Sequence, residues 1–199
     1  VPAVCTGGAR QIGGPGGLGK PSHGAIRAQV ELAQRNGVHN VKPTAISLTN
    51  ATEQGTILQP AEVAGYGELA RELDLGLHMD GARFSNAVVG SGASPADLTW
   101  RAGVDALTFG ATKNGAIAAE AVVFFNDRFS ADFAYRRKRA GHLWSKHRFL
   151  AAQFDAFLAG DLWLDNARHA NALAARPASG LWQLPGGTWP WPTEANEVF

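Results

Sequence analysis

Apolar runs separated by amphipathic stretches divide most of the chain into predicted strands and helices. The runs at residues 45–48, 75–79, 104–109 and 121–125 predict strands, the last two with the uniformly apolar pattern of fully buried ones. Residues 60–73 predict a helix, with Pro60 in its first turn and Glu62 complementing the helix dipole. Its apolar stripe consists of Val63, Tyr66, Leu69, Ala70 and Leu73. This alternation of strands and helices predicts an α/β fold with a parallel sheet.

Helix start and stop signals predict further helices. The segment SPAD at residues 94–97 resembles a capping box and predicts a helix that ends near Gly103. Ser145 is a candidate cap for a helix that ends before Gly160. The positions that share one face of that helix are Leu150, Phe154, Phe157 and Leu158. Residues 161–175 are expected to continue in helical form.

The same pattern predicts three regions of different character. Residues 1–19 are rich in glycine and lack periodicity, which predicts a loop or arm. Residues 20–176 carry the strand and helix pattern of one larger domain. After Arg176 the sequence becomes rich in tryptophan, proline and glycine, so residues 177–199 are predicted to begin a smaller C-terminal domain.

Composition narrows the functional classes without choosing among enzymes. The chain has 199 residues, 45% of them hydrophobic, which is enough for one substantial core. A formal net charge of +1 gives no reason to expect a nucleic-acid partner. Cys5 is the single cysteine, so an intrachain disulfide is impossible and a reducing compartment is expected. No run is long enough to span a membrane and no signal peptide is recognisable, so we expect a cytoplasmic protein without a membrane partner.

Two residues near predicted strand ends carry the candidate chemistry. Asp80 ends one apolar run, and Lys113 follows the next by a few residues. Their separation of 33 in residue number matches one strand–helix–strand crossover, which would bring both side chains to the carboxyl edge of the sheet. A lysine can hold an aldehyde as an imine, and a carboxylate stabilises a protonated ring nitrogen, so the pair suits pyridoxal phosphate (PLP). The alternative is a surface lysine and a strand-end aspartate of an ordinary α/β domain.

Longer motifs around these residues resemble the low-specificity threonine aldolases, in the aromatic amino-acid β-eliminating lyase group. The resemblance rests on LHMDGAR (residues 77–83), FGATKNGA (109–116), ISLTNATEQGT (46–56) and RKRAGHLWSKHRFL (137–150). It implies a partial PLP-dependent large domain of the aspartate-aminotransferase type, with the start of a small domain. The family's N-terminal phosphate-binding segment and C-terminal arginine have no match here, so the resemblance implies a fragment.

The resemblance also implies an activity. It is the PLP-dependent cleavage of L-threonine or L-allo-threonine to glycine and acetaldehyde, by a homo-oligomer in the full-length form. The alternatives are a catalytically impaired fragment, or another lyase or aminotransferase of the same fold. No metal is expected, because His78 and Asp80 lack further ligands to complete a site.

The resemblance assigns roles only where its motifs match. Lys113 forms the imine, Asp80 holds the ring nitrogen, and Arg83 contacts the cofactor or the substrate carboxylate. Related aldolases have a histidine that contacts the substrate hydroxyl in the region that here contains Thr52. Thr52 or a bound water therefore becomes the candidate partner of that hydroxyl.

The basic run at residues 136–139 and the residues after it allow two interpretations. One is a solvated helix face or a subunit contact. The other is phosphate anchoring by Ser145, Lys146 or His147, of which Ser145 and Lys146 are taken as candidate cofactor-binding residues. The segment GPGGLGK at residues 14–20 spells a nucleotide loop, but Pro21 stands where such a loop needs a hydroxyl, so nucleotide binding is not expected.

Overall fold

A four-stranded sheet forms the centre of the computed structural model, which describes residues 6–181, 185–188 and 190–199. The strands are β1 (Gly16–Gly17), β2 (Lys20–Pro21), β3 (Ala45–Thr49), β4 (Gly76–Gly81), β5 (Ala106–Gly110) and β6 (Glu120–Phe124). The α-helices are α1 (His23–Arg35), α2 (Pro60–Glu72), α3 (Phe84–Ser91), α4 (Phe133–Arg139), α5 (Arg148–Leu158) and α6 (Leu162–Leu181). The central sheet has the order β3-β4-β5-β6, and β1 and β2 pair separately.

The sheet confirms the four predicted strands and the α/β fold. Strands β3, β4 and β5 run parallel, so the carboxyl ends of all three lie at the same edge of the sheet. Strand β6 runs antiparallel to β5 and forms the border of the sheet, which corrects the expectation of a parallel fourth strand. The prediction that this strand is fully buried is also wrong, because Val122 and Val123 are 40% and 37% exposed.

Side chains alternate between the two faces of the sheet, as the strand period of two requires. Ile46 and Leu48 of β3 point to the same face as Leu77 and Met79 of β4, and all four are buried. Helices α2 and α3 cover that face and complete the main core. The opposite face is polar in β3 and β4, and it carries the residues that alternate with these four.

The predicted helix at residues 94–103 is wrong, although its start signal forms. The backbone N–H of Asp97 donates to Ser94 Oγ, and that hydroxyl donates to Asp97 Oδ2. The chain then makes turns and a single 3-10 segment, Trp100–Ala102, before Gly103 adopts a left-handed conformation. The cap stabilises the first turn, but most helical stability in proteins comes from the packing of an amphipathic face, so capping alone does not extend a helix. The crossover helix is instead α3, directly after β4.

The C-terminal part of the chain returns to the sheet edge. Helix α6 runs through the predicted boundary at residue 176 and is joined to α3 by two hydrogen bonds between Asn86 and Asn171. Farther on, Ala195 is buried in a small cluster with Ala51, Ile57 and Ala87. The backbone N–H groups of Glu194 and Ala195 both donate to the carbonyl of Gly55. The predicted division into domains stays a prediction, as does the description of residues 1–19 as an arm.

The Met79 side chain tests the packing of the main core. It is fully buried in β4, so Met79→Ala should lower the free energy of unfolding by about 2–5 kcal/mol. Met79→Leu keeps the volume and should cost less than about 1.5 kcal/mol. Urea unfolding of the two variants measures the difference, and equal losses would contradict a tightly packed site at this position.

Candidate active site

The end of β4 presents a carboxylate at the sheet edge. Asp80 lies opposite Thr49 of β3 and Thr108 of β5 in the register of the sheet. Its Oδ1 accepts a hydrogen bond of 3.0 Å from the backbone N–H of Ala82. Within the described part of the chain, Oδ2 accepts none. The carboxylate is therefore oriented by one oxygen and has the other available for a ligand.

A short helical turn carries Lys113 past the end of β5. The turn, Thr112–Asn114, follows β5 after one intervening residue. Asn114 fixes it, because its side-chain amide donates to the carbonyl of Trp163 at 2.7 Å and its own carbonyl accepts from Asn166 at 2.9 Å. The Lys113 side chain is exposed. The lysine thus extends into solvent from a turn that α6 holds in place.

The Arg83 guanidinium lies at the same edge between two carboxylates. Its Nη2 contacts Glu197 Oε1 at 2.5 Å, and its Nη1 contacts Glu53 Oε1 at 3.5 Å. Burial raises the pKa of the Glu197 carboxyl, while the charges of Arg83 and Lys113 act in the opposite direction. The negative charge of Glu53 raises the pKa of Glu197 further. The structure therefore brings Asp80, Arg83 and Lys113 to one edge and adds Glu197, which sequence reasoning missed.

The Thr52 hydroxyl is already engaged inside the loop that follows β3. It lies 2.7 Å from the hydroxyl of Thr56, which donates to the carbonyl of Leu18 at 2.6 Å. Thr52 is buried, and a Cβ on Gly19 would come within 2.8 Å of it. The glycine-rich segment thus packs against this loop. The predicted role of Thr52 toward a substrate hydroxyl stays a prediction.

Ser145 and Lys146 lie in a turn before α5, and both are exposed. Helix α5 begins with His147 as its cap, and Ser145 supplies no cap hydrogen bond. Within the described residues, neither Ser145 nor Lys146 forms a hydrogen bond or ion pair with Asp80, Arg83 or Lys113. Their predicted part in binding phosphate stays a prediction.

Lys20, the last residue of the glycine-rich GPGGLGK segment, is held by a carboxylate. Its ammonium contacts both oxygens of Glu62, at 2.8 and 2.9 Å. Among the described residues, no group of three or more His, Cys, Asp or Glu side chains could hold a metal ion. Nor does any described helix have the length and apolar character needed to cross a membrane.

A serine–histidine pair lies beside Asp80 on the polar face of the sheet. The hydroxyl of Ser47 and Nδ1 of His78 are 2.8 Å apart on adjacent strands. Burial lowers the pKa of His78 below its usual 6.5, and the charge of Asp80 opposes this only in part. The folded protein therefore favours the neutral imidazole.

This shift predicts a pH dependence of stability. Because the unfolded chain takes up the His78 proton first, the free energy of unfolding should decrease as the pH falls through 6.5. The stabilising contribution of the neutral His78 is fully present above the pKa of the unfolded chain, and it is lost as the pH decreases. His78→Gln removes it, so urea unfolding above and below pH 6.5 should show a smaller pH slope for the variant. Identical slopes would contradict the shift.

Known protein families and solved structures include relatives of this chain. A family model described as Beta-eliminating lyase matches residues 3–199. The chain belongs to the β-eliminating lyase family. Two relatives of this chain are low-specificity L-threonine aldolases from Pseudomonas aeruginosa and from a Pseudomonas strain, 48% and 46% identical to it. The matches cover 92% and 91% of the chain and 52% of each relative, so the chain spans about half the length of these curated relatives.

Solved structures show the fold. A threonine aldolase from Leishmania major superposes with a TM-score of 0.88 at 26% identity, over 96% of this chain and 55% of the other. A PLP-dependent aminotransferase from Streptococcus suis gives a TM-score of 0.60 at 16% identity, over 85% of this chain and 44% of that one. These matches confirm the predicted family resemblance and the aspartate-aminotransferase type of large domain.

The residues at the sheet edge fit PLP. Asp80 has a carboxylate oxygen without a partner among the described residues, as the protonated ring nitrogen would require. Lys113 is exposed on a fixed turn and therefore accessible to an aldehyde. Gly110 lets the chain pass close to the end of β4, because a Cβ there would lie 2.9 Å from the Cα of Ala82.

Proposed function

We propose that this chain is the catalytic part of a PLP-dependent lyase that cleaves L-threonine and L-allo-threonine to glycine and acetaldehyde. The observation that carries the proposal is the Asp80 carboxylate, oriented by Ala82 and available through Oδ2, at the edge shared with Arg83 and Lys113. The two threonine aldolase relatives support the choice of reaction. A homo-oligomer in the cytoplasm is part of the same proposal.

Each residue has a distinct task in the proposed reaction. PLP supplies an electron sink that accepts the bonding electrons when the bond between Cα and Cβ breaks. The Asp80 carboxylate would keep the ring nitrogen protonated, which the electron sink requires. Lys113 would hold the cofactor through its side-chain amine. These two residues therefore govern cofactor binding and the rate of cleavage.

Arg83 is proposed to bind the substrate carboxylate. Its side chain is only 13% exposed, so a carboxylate that reaches it forms a partly desolvated ion pair. Such a contact fixes one end of the amino acid, which leaves the bond to be broken aligned with the electron sink. The hydroxyl proton must leave as the aldehyde forms, and a bound water is a simple acceptor because the Thr52 hydroxyl is engaged by Thr56.

The products of the reaction test the proposal. The purified chain, incubated with PLP and L-threonine, should release glycine and acetaldehyde in equal amounts. Transfer of the amino group to an added keto acid would instead identify an aminotransferase of the same fold. A visible imine absorbance band without either reaction would identify a chain that binds the cofactor but is catalytically impaired.

A further inference from the structure

The two carboxylates that contact Arg83 differ in how firmly they are held. Glu197 contacts Nη2 at 2.5 Å and is 19% exposed, whereas Glu53 contacts Nη1 at 3.5 Å and is 71% exposed. An exposed pair at the longer distance is screened by water and contributes little, while a short, largely buried pair is costly to break. The guanidinium is thus held firmly at Nη2 and contacted only weakly at Nη1.

The backbone around Glu197 is docked onto the loop that follows β3. Two N–H groups of the segment donate to the Gly55 carbonyl, and the backbone N–H of Ile57 donates to Glu194 Oε2 at 2.6 Å. Gly55 has a φ of +73°, and a Cβ there would lie 2.8 Å from the carbonyl oxygen of Glu197. A side chain at position 55 would therefore push this segment away from Arg83.

The two oxygens of the Glu197 carboxylate have different surroundings. Oε1 contacts Arg83, while Oε2 is buried and has no hydrogen-bond partner within the described residues. A carboxylate that served only stability would be expected to satisfy both oxygens, because a buried unpaired oxygen costs free energy. The arrangement is explained if its purpose is to hold the guanidinium in one orientation.

We propose that Glu197 is a positioning residue that fixes Arg83, while Glu53 is a place-holder that the substrate carboxylate displaces from Nη1. This inference rests on the proposed function, in which Arg83 receives that carboxylate. The incoming group exchanges one loose ion pair for a better one, so the chain binds an amino acid without first breaking the buried contact. Glu197 and Glu53 thus influence binding in opposite directions.

Glycine is a suitable probe, because it carries the carboxylate and amine without the reacting bond. Its affinity for the PLP-treated chain is read from the NMR signals of the Arg83 guanidinium, which requires neither turnover nor imine formation. Glu53→Gln should tighten glycine binding by about 2- to 5-fold, since a weak competitor is removed. Glu197→Ala should weaken it by about tenfold or more.

The conservative variant separates positioning from charge. Glu197→Gln retains a side-chain oxygen at the position that contacts Nη2, so it should restore glycine affinity to within about threefold of the wild type. Glu68 is an exposed glutamate on α2, and its Gln and Ala variants are the matched controls. Ethylamine lacks the carboxylate, so its binding should be the same in all of these proteins.

The outcomes distinguish this inference from the proposed function. Tighter glycine binding by Glu197→Ala would make Glu197 a competitor and overturn the inference, as would an unchanged affinity in both glutamate variants. If Glu53→Gln does not tighten and Glu197→Ala does not weaken glycine binding while threonine is still cleaved, the inference alone is rejected. If Glu53→Gln tightens and Glu197→Ala weakens glycine binding in a chain that forms no imine, the inference is supported and the proposed function is rejected.

Discussion

Lys113→Ala should abolish the visible absorbance band of the protonated PLP imine and reduce threonine cleavage by about three orders of magnitude or more. The lysine is the proposed covalent attachment of the cofactor, and an alanine offers no amine to replace it. The effect on folding should be small, because the side chain is exposed and the turn is held by Asn114 and Asn166. Absorbance after PLP addition and an aldehyde assay measure the two losses.

Lys42→Ala is the matched control, since Lys42 is an exposed lysine in the segment before β3. It should retain both the absorbance band and the activity. If Lys113→Ala kept the band, the imine would form elsewhere, and the assignment of this lysine would be wrong.

Asp80→Asn should leave the imine able to form but raise the barrier to cleavage by about 3 kcal/mol, roughly a hundredfold in rate. The amide keeps an oxygen for the N–H of Ala82, so the loop after β4 should keep its conformation. It does not carry the negative charge that holds a proton on the ring nitrogen, so the electron sink becomes weaker. Steady-state kinetics with threonine, together with the absorbance spectrum, separate cofactor binding from catalysis.

Asp132→Asn is the control for this change, because Asp132 is exposed at the start of α4 and makes no side-chain cap hydrogen bond. Its kinetics should match the wild type. Equal rates for Asp80→Asn and the wild type would show that the ring nitrogen needs no carboxylate here.

Local patterns predicted the elements that form the main core. The four strands and helix α2 have apolar positions at the periods of a strand or a helix, and burial of those positions is what stabilises them. The predicted helix at residues 94–103 had a correct start signal and still did not form, so local capping did not decide the outcome. Helix α3 was missed although Phe84, Ala87 and Val88 provide an apolar stripe, because no cap residue marks its start.

The exposure of β6 could not be predicted from its residues. Its apolar sequence is that of a central strand, yet its place is at the border of the sheet. Strand order depends on pairing between segments far apart in the chain, which a pattern within one segment does not contain.

The candidate site likewise combines residues that the sequence predicts with a contact that depends on the tertiary structure. The sequence by itself determined the candidates Asp80 and Lys113 and their separation by one crossover, because the ends of apolar runs and the spacing between them are read directly along the chain. Only the tertiary structure decided that Glu197 contacts Arg83, since residues 114 positions apart meet through the docking of the C-terminal segment on Gly55. The physical reason is that an ion pair needs only proximity and desolvation, and both arise after the sheet and its loops have packed.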